Sequence, residues 1–184
     1  MNKKPQFISP ENVLSEVGLK PGMSVIDYAC GAGHWSLYAA KMVSPNGKVL
    51  ALENDINMLS MLQSKAETRH ISNIEIEEIE IEKGTSAEAK PSDLVIVSNI
   101  LYLIKDKQVF AEKAAALVAP GGKLLFIDWT PAKTLFGPPS TLRIKQEEAV
   151  TLFEHEGLQM ACSVLTGVDH YGLVFERKGA VDEG

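Results

Sequence analysis

Apolar residues recur along this chain in two alternating rhythms. Short β-branched runs are separated by longer stretches in which apolar positions return every three or four residues. That alternation predicts a parallel sheet covered by helices. Ser9-Pro10 opens the first helix, with Ser9 as N-cap and Pro10 at the first helical position. It ends near Gly18, ahead of a Lys20-Pro21-Gly22 turn. Strands are expected at 23–28, 48–53, 74–82, 93–98 and 123–129, and further helices at 33–42, 55–69, 105–118 and 145–156. On the 55–69 helix, capped by Asp55, the residues Ile56, Leu59, Leu62 and Ala66 fall on one face. The segments 159–166 and 170–177 flank a Gly167-Val168-Asp169 turn, too short for a crossover, and so predict an antiparallel hairpin.

Two strands carry further information. Residues 93–98 are continuously apolar between Asp93 and Ser98, as at the centre of a sheet. Residues 74–82 alternate Ile with Glu until Glu77-Glu78 breaks the phase, which marks a bulge or a strand end. The glutamates read as charge that keeps a sheet edge from pairing, in preference to an acidic binding surface. Residues 83–92 form a polar loop, 130–141 a proline-bearing loop, and 178–184 a loose tail.

Composition narrows the class. The 184 residues suit one domain, residues 1–184, and the apolar and charged fractions are those of a globular protein. A net charge of −6 argues against nucleic acid as a partner. Cys30 and Cys162 are too few and too far apart for a disulfide framework or a CxxC metal pair, which suits a reducing compartment. No His/Asp/Glu cluster has metal-ligand spacing. MNKKPQF lacks the apolar segment of a signal peptide, and the run 94–104 falls well short of the ~20 residues of a membrane span. A cytoplasmic protein is expected.

The sharpest chemical feature is VIDYACGAGHW, residues 25–35. A strand runs into a glycine turn and then a helix, so Gly31 and Gly33 let the backbone turn tightly and let a ligand approach. Glu53, at the carboxyl end of the next strand, is placed to accept hydrogen bonds from ribose hydroxyls. The third glycine of a dinucleotide fingerprint is replaced by Ser36. Asp27 just before the turn repels a pyrophosphate and attracts an ammonium or sulfonium.

These residues resemble the class I S-adenosylmethionine-dependent methyltransferases, particularly small quinone-methylase-like members. DYACGAG is similar to the family's D/E-x-G-x-G-x-G, with Ala29 in place of the first glycine. VLALE, DLVIVSNILYL, LVAPGGKLLFIDW and HYGLVFER resemble later family motifs, and the likeness runs from Phe7 to Arg177. The resemblance implies a Rossmann-like three-layer α/β/α sandwich. Its seven-stranded, mostly parallel sheet would have the order 3-2-1-4-5-7-6 with strand 7 antiparallel. It assigns residues 1–22 to a cofactor-covering segment and 23–177 to the core. It places S-adenosylmethionine against Asp27, Ala29, Gly31, Gly33, Glu53, Asn54, Glu80, Ile81 and Asn99.

In an open α/β sheet the ligand lies beyond the strands' carboxyl ends. The residues expected there around a methyl acceptor are Asn99, Tyr102, Asp128, Trp129, His170 and Tyr171. His170, Asp128 and Tyr102 are the candidates for moving a proton, His170 first because its ordinary pKa is near neutral. Each has a plainer role open to it: a strand-end histidine, a strand-end acid, a packing ring. His34 could meet the cofactor's carboxylate or simply start a helix, Trp35 reads as core or pocket wall, and Cys30 as a small filler. The 130–141 loop is the natural lid, with Phe136 and Arg143 as its reaching residues. Too few cysteines for arsenic, and no N-P-P-Y after the fourth strand, leave a small, partly apolar acceptor as the best substrate class. The alternatives are a cofactor-binding module without transfer and an NAD(P)-dependent oxidoreductase, against which Asp27 and the missing glycine weigh.

Overall fold

A computed structural model describes residues 9–83, 89–132 and 134–179. The elements in chain order are α1 (Pro10–Val17), β1 (Ser24–Tyr28), α2 (His34–Val43), β2 (Lys48–Glu53), α3 (Ile56–Thr68), β3 (Ile74–Glu78), β4 (Ser92–Ser98), α4 (Lys107–Ala116), β5 (Val118–Trp129), α5 (Gln146–His155), β6 (Leu158–Val164) and β7 (His170–Arg177). One seven-stranded sheet has the order β3-β2-β1-β4-β5-β7-β6. Pairing is parallel from β3 to β5, and β7 runs antiparallel to both β5 and β6. This is the expected three-layer arrangement.

Side-chain alternation along the strands supplies both faces. Ile26, Val95, Val97 and Phe126 pack with Phe110 of α4 and Phe153 of α5. Val25, Leu94, Ile96 and Ile127 pack with Leu14 of α1 and Trp35 and Ala39 of α2. α3 joins that second layer through Leu59, Leu62 and Ala66, which meet Ala51 and Leu37. Ile56 leaves the expected face and is 57% exposed. It sits in the first turn, at the rim of an open groove shared with Ile76 and Glu78 of the edge strand β3.

β3 ends at Glu78, at the break in the Ile/Glu phase, and it is the sheet edge. α4 starts two residues later than its pattern suggests, because Asp106 caps it, accepting from the Val109 N–H at 3.1 Å. β5 starts earlier. Val118 already pairs with Ser92, and the Ala119–Gly122 turn is a bulge before pairing resumes at Lys123 with Leu94. The turn residues that stop α4 therefore lie inside the strand. Among the described residues no helix is long and apolar enough to cross a membrane. The loose-tail expectation falls mostly on residues 180–184, outside the described residues.

Candidate functional site

The parallel strands deliver their carboxyl ends to one cavity of about 970 Å³. Its floor is the β1–α2 turn. Ala29, Gly31 and Gly33 all have positive φ there, at 66°, 52° and 77°. The two glycines are needed for different reasons. A Cβ on Gly31 would stand in open space, whereas one on Gly33 would run into Leu62 Cδ1 of α3. Gly31 lines the cavity; Gly33 does not and instead serves helix packing. Ala29 holds a left-handed conformation that favours glycine, the residue it replaces in the family pattern.

Glu53 is fixed by backbone amides on both oxygens. Its Oε2 accepts from the Gly31 N–H at 2.8 Å, and its Oε1 from Asn54 at 2.8 Å and Asp55 at 3.2 Å. A carboxylate has about four lone-pair sites, so Oε2 retains one toward the cavity. Asp27 is buried on the α2 face. Ser36 Oγ donates to its Oδ2 at 2.5 Å, while Oδ1 has no partner. Burial, opposed by that bond and assisted by Glu53's charge, pushes its pKa up to about 6. Ser36, which the sequence shows only as a missing glycine, is thus the residue that orients Asp27. Its signal is a hydroxyl in the first turn of the helix leaving the acid's strand.

Tyr28, beside Asp27, donates from its hydroxyl to the Ile81 carbonyl at 2.7 Å. That bond draws the segment after β3 against the cavity. Ile81 is buried, and Glu80 at the rim pairs with Lys83 at 2.6 Å. Asn54 is exposed on the near side. On the outer side of the turn, Lys65 Nζ donates to the Ala32 carbonyl at 2.9 Å. It stands near His34, whose pKa is lowered by burial first and by that ammonium second. Trp35 ties α2 to β4 through its Nε1–H to Ser98 Oγ at 3.0 Å. Burial, with the charges of Asp27 and Glu53, raises the Cys30 thiol's pKa, so Cys30 stays a neutral filler.

The far wall is the segment after β4: Asn99, Ile100, Tyr102, Leu103 and Ile104. Asn99 has φ 55° and an unpartnered buried Oδ1. Of the expected acceptor residues, only Asn99 and Tyr102 line the cavity. Asp128 is fully buried, and Tyr171 donates to the Ile144 carbonyl at 3.1 Å. Trp129 stacks on His170 with 4.2 Å between ring centres. The alternation of β5 and β7 turns Asp128 and Tyr171 to one face of the sheet, where Tyr171 joins the α4/α5 layer, and Trp129 and His170 to the other, where Arg143 and Gly137 cover Trp129. Burial lowers the His170 pKa, against Asp169's charge, so His170 is neutral there.

Arg143 is not a reaching residue. Its guanidinium lies over Trp129 and donates to the carbonyls of Pro138, Thr130, Ala132 and Phe136. It fastens the 130–141 loop down, leaving Phe136 exposed. α1 packs on α2 and lines no part of the cavity, and residues 1–8 of the expected covering segment lie outside the described residues.

The family model described as "Methyltransferase domain" matches residues 19–179. Demethylmenaquinone methyltransferases of Bacillus cereus and Bacillus anthracis are 25% identical over 174 residues, covering 88% of this chain and 71% of theirs. A SAM-dependent methyltransferase from Aquifex aeolicus superposes with a TM-score of 0.85 at 26% identity, covering 92% of this chain and 90% of its own. The [4+2]-cyclase SpnF superposes at 0.79 with 11% identity, over 98% of this chain and 89% of its own, a likeness of fold alone.

Proposed function

Because the chain belongs to the methyltransferase-domain family, as a class I S-adenosylmethionine-dependent methyltransferase, we propose that it methylates a small, partly apolar molecule held against the 99–104 wall. The cavity's own residues fit a cationic nucleoside. Glu53 keeps a lone pair for a ribose hydroxyl, and Asp27 keeps a buried, unpaired oxygen for a cation. Gly31 leaves open space at the turn. When bound, S-adenosylmethionine supplies a methyl carbon activated by positive sulfur.

The protein's contribution is placement. Holding nucleophile and methyl group in line supplies most of the acceleration available to such a displacement. The wall offers Ile100, Leu103 and the Tyr102 ring for an apolar ring system, and the Asn99 amide for a polar group. Burial, and then the charge of Asp128, keep the Tyr102 hydroxyl protonated, so Tyr102 orients an acceptor and does not deprotonate it. Lys65 offers positive charge, and neutral His34 a ring N–H, to a carboxylate at the other side. The Bacillus relatives named for demethylmenaquinone support a ring-bearing acceptor of the same class.

The observation that carries this reading is the fixing of Gly31 and Glu53 to one another beside the unpaired oxygen of Asp27. Calorimetry with S-adenosylhomocysteine and with NAD tests the cofactor half, and binding of the first alone is expected. Transfer of labelled methyl to a panel of quinols and phenols tests the acceptor half. Turnover of charged peptides or RNA with none of the panel would overturn it.

A further inference from the structure

The carboxyl end of β5 carries an acid that the cavity does not use. Asp128 is fully buried. Its Oδ1 accepts from the Trp129 N–H at 2.7 Å, and its Oδ2 has no partner. Among the described residues no cation forms an ion pair with it. A buried carboxylate in that condition is costly, and an apolar residue would avoid the cost.

The segment after β4 supplies the missing half. The Asn99 N–H bonds to the Ile127 carbonyl at 2.9 Å, and the chain then closes two tight turns, Leu103 to Ile100 and Ile104 to Leu101. Between those bonds the N–H groups of Ile100, Leu101 and Tyr102 donate to no backbone carbonyl among the described residues. Leu101 is fully buried, and its N–H faces the Asp128 carboxylate. The Tyr102 hydroxyl feels the same charge. A buried oxygen short of a donor thus lies beneath the Leu101 amide, which no backbone carbonyl accepts.

The geometry points to Asp128 as a positioning residue, whose free oxygen anchors the Leu101 amide and so fixes where Asn99 and Tyr102, on either side of it, stand in the cavity. This rests on the reading of that segment as the acceptor wall. The anchor itself does not depend on any acceptor. The charged groups around Asp128 are Lys107 at the start of α4 and Arg143 before α5, both of which favour its ionised form. The Tyr102 and Tyr171 hydroxyls complete its surroundings, and Glu147 and Glu148 of α5 act on Tyr171.

Amide NMR and hydrogen exchange on the full chain, from pH 5 to 8, test the anchor without an acceptor. In the wild type the Leu101 and Trp129 amides should titrate together, with a midpoint at about 6. Asp128→Asn should abolish that titration. Asp128→Leu should speed exchange at Leu101 and Tyr102 at least tenfold while β1 and β2 amides exchange as before. Identical exchange and shifts at 100–102 in all three proteins would overturn the proposal. A phenol whose turnover Tyr102→Ala leaves unchanged would instead remove the acceptor-wall reading and leave the anchor intact.

Discussion

The Gly31 amide donates to Glu53 Oε2 at 2.8 Å, across 22 residues of sequence and two parallel strands. The bond makes the glycine turn and the acid one rigid unit before any ligand arrives. Hydrogen bonds to charged groups contribute about 1.5–3 kcal/mol. Glu53→Gln keeps the shape but sets an amide NH2 where one or two backbone donors point. S-adenosylhomocysteine binding by calorimetry should weaken by roughly ten- to a hundred-fold. An unchanged affinity, with the melting temperature also unchanged, would mean that Glu53 serves neither turn nor ligand.

The turn residues should separate stability from binding. Gly33→Ala meets Leu62 as well as an unfavourable φ, so a loss of about 2–4 kcal/mol is expected in urea titrations. Leu62→Ala in the same chain should recover part of it. Gly31→Ala suffers only the φ penalty, about 1–2 kcal/mol, and should fall mainly in cofactor affinity. Ala29→Gly removes strain at φ 66° and should stabilise the protein by about 1 kcal/mol.

The loop after β5 should depend on one side chain. Arg143 is 8% exposed and donates to four loop carbonyls. Arg143→Met leaves those carbonyls without a donor and should raise the rate of proteolytic cutting within 130–141. Cofactor affinity should hold, because neither Arg143 nor the loop lines the cavity. Cutting at the wild-type rate would show that the loop is held by its prolines.

Hydrophobic period and strand ends made the architecture legible. The apolar run 93–98 reads as a central strand, and β4 is the middle strand of seven. The Ile/Glu alternation reads as an edge, and β3 is one. Glu53 and Gly31 could be placed because strand ends fix which residues gather. Side-chain direction beyond those ends was not legible. Asp128, Trp129, His170 and Tyr171 reach the right end of the sheet, but none of the four lines the cavity: Tyr171 is turned into a helical layer and Trp129 lies under Arg143 and the 130–141 loop. Arg143 stands in a loop with no period to read, so nothing in the sequence shows it folding back onto carbonyls. Ser36 needed the helix to be built before its hydroxyl could be seen to meet Asp27.

Asp27 makes stability and binding respond to pH in opposite directions. Its carboxyl is shifted from 3.8 to about 6, by burial first, with the Ser36 bond opposing and Glu53's charge adding. A raised carboxyl pKa favours the protonated folded state. Asp27's contribution to stability is therefore full below pH 3.8 and is lost as pH rises through about 6. The loss is roughly 3 kcal/mol by the usual conversion. Asp27→Asn should accordingly raise the melting temperature of the free protein at pH 7.5 and leave it nearly unchanged at pH 4. On the proposed reading, cofactor binding uses the ionised oxygen. In the wild type, S-adenosylhomocysteine affinity should fall by up to tenfold per pH unit below 6, and in Asp27→Asn it should be weak and flat. A wild-type affinity that holds constant from pH 7.5 to 5 would show that the unpaired oxygen of Asp27 meets no ammonium of the ligand, and the acid would then be a burden on the fold with nothing in that ligand to offset it.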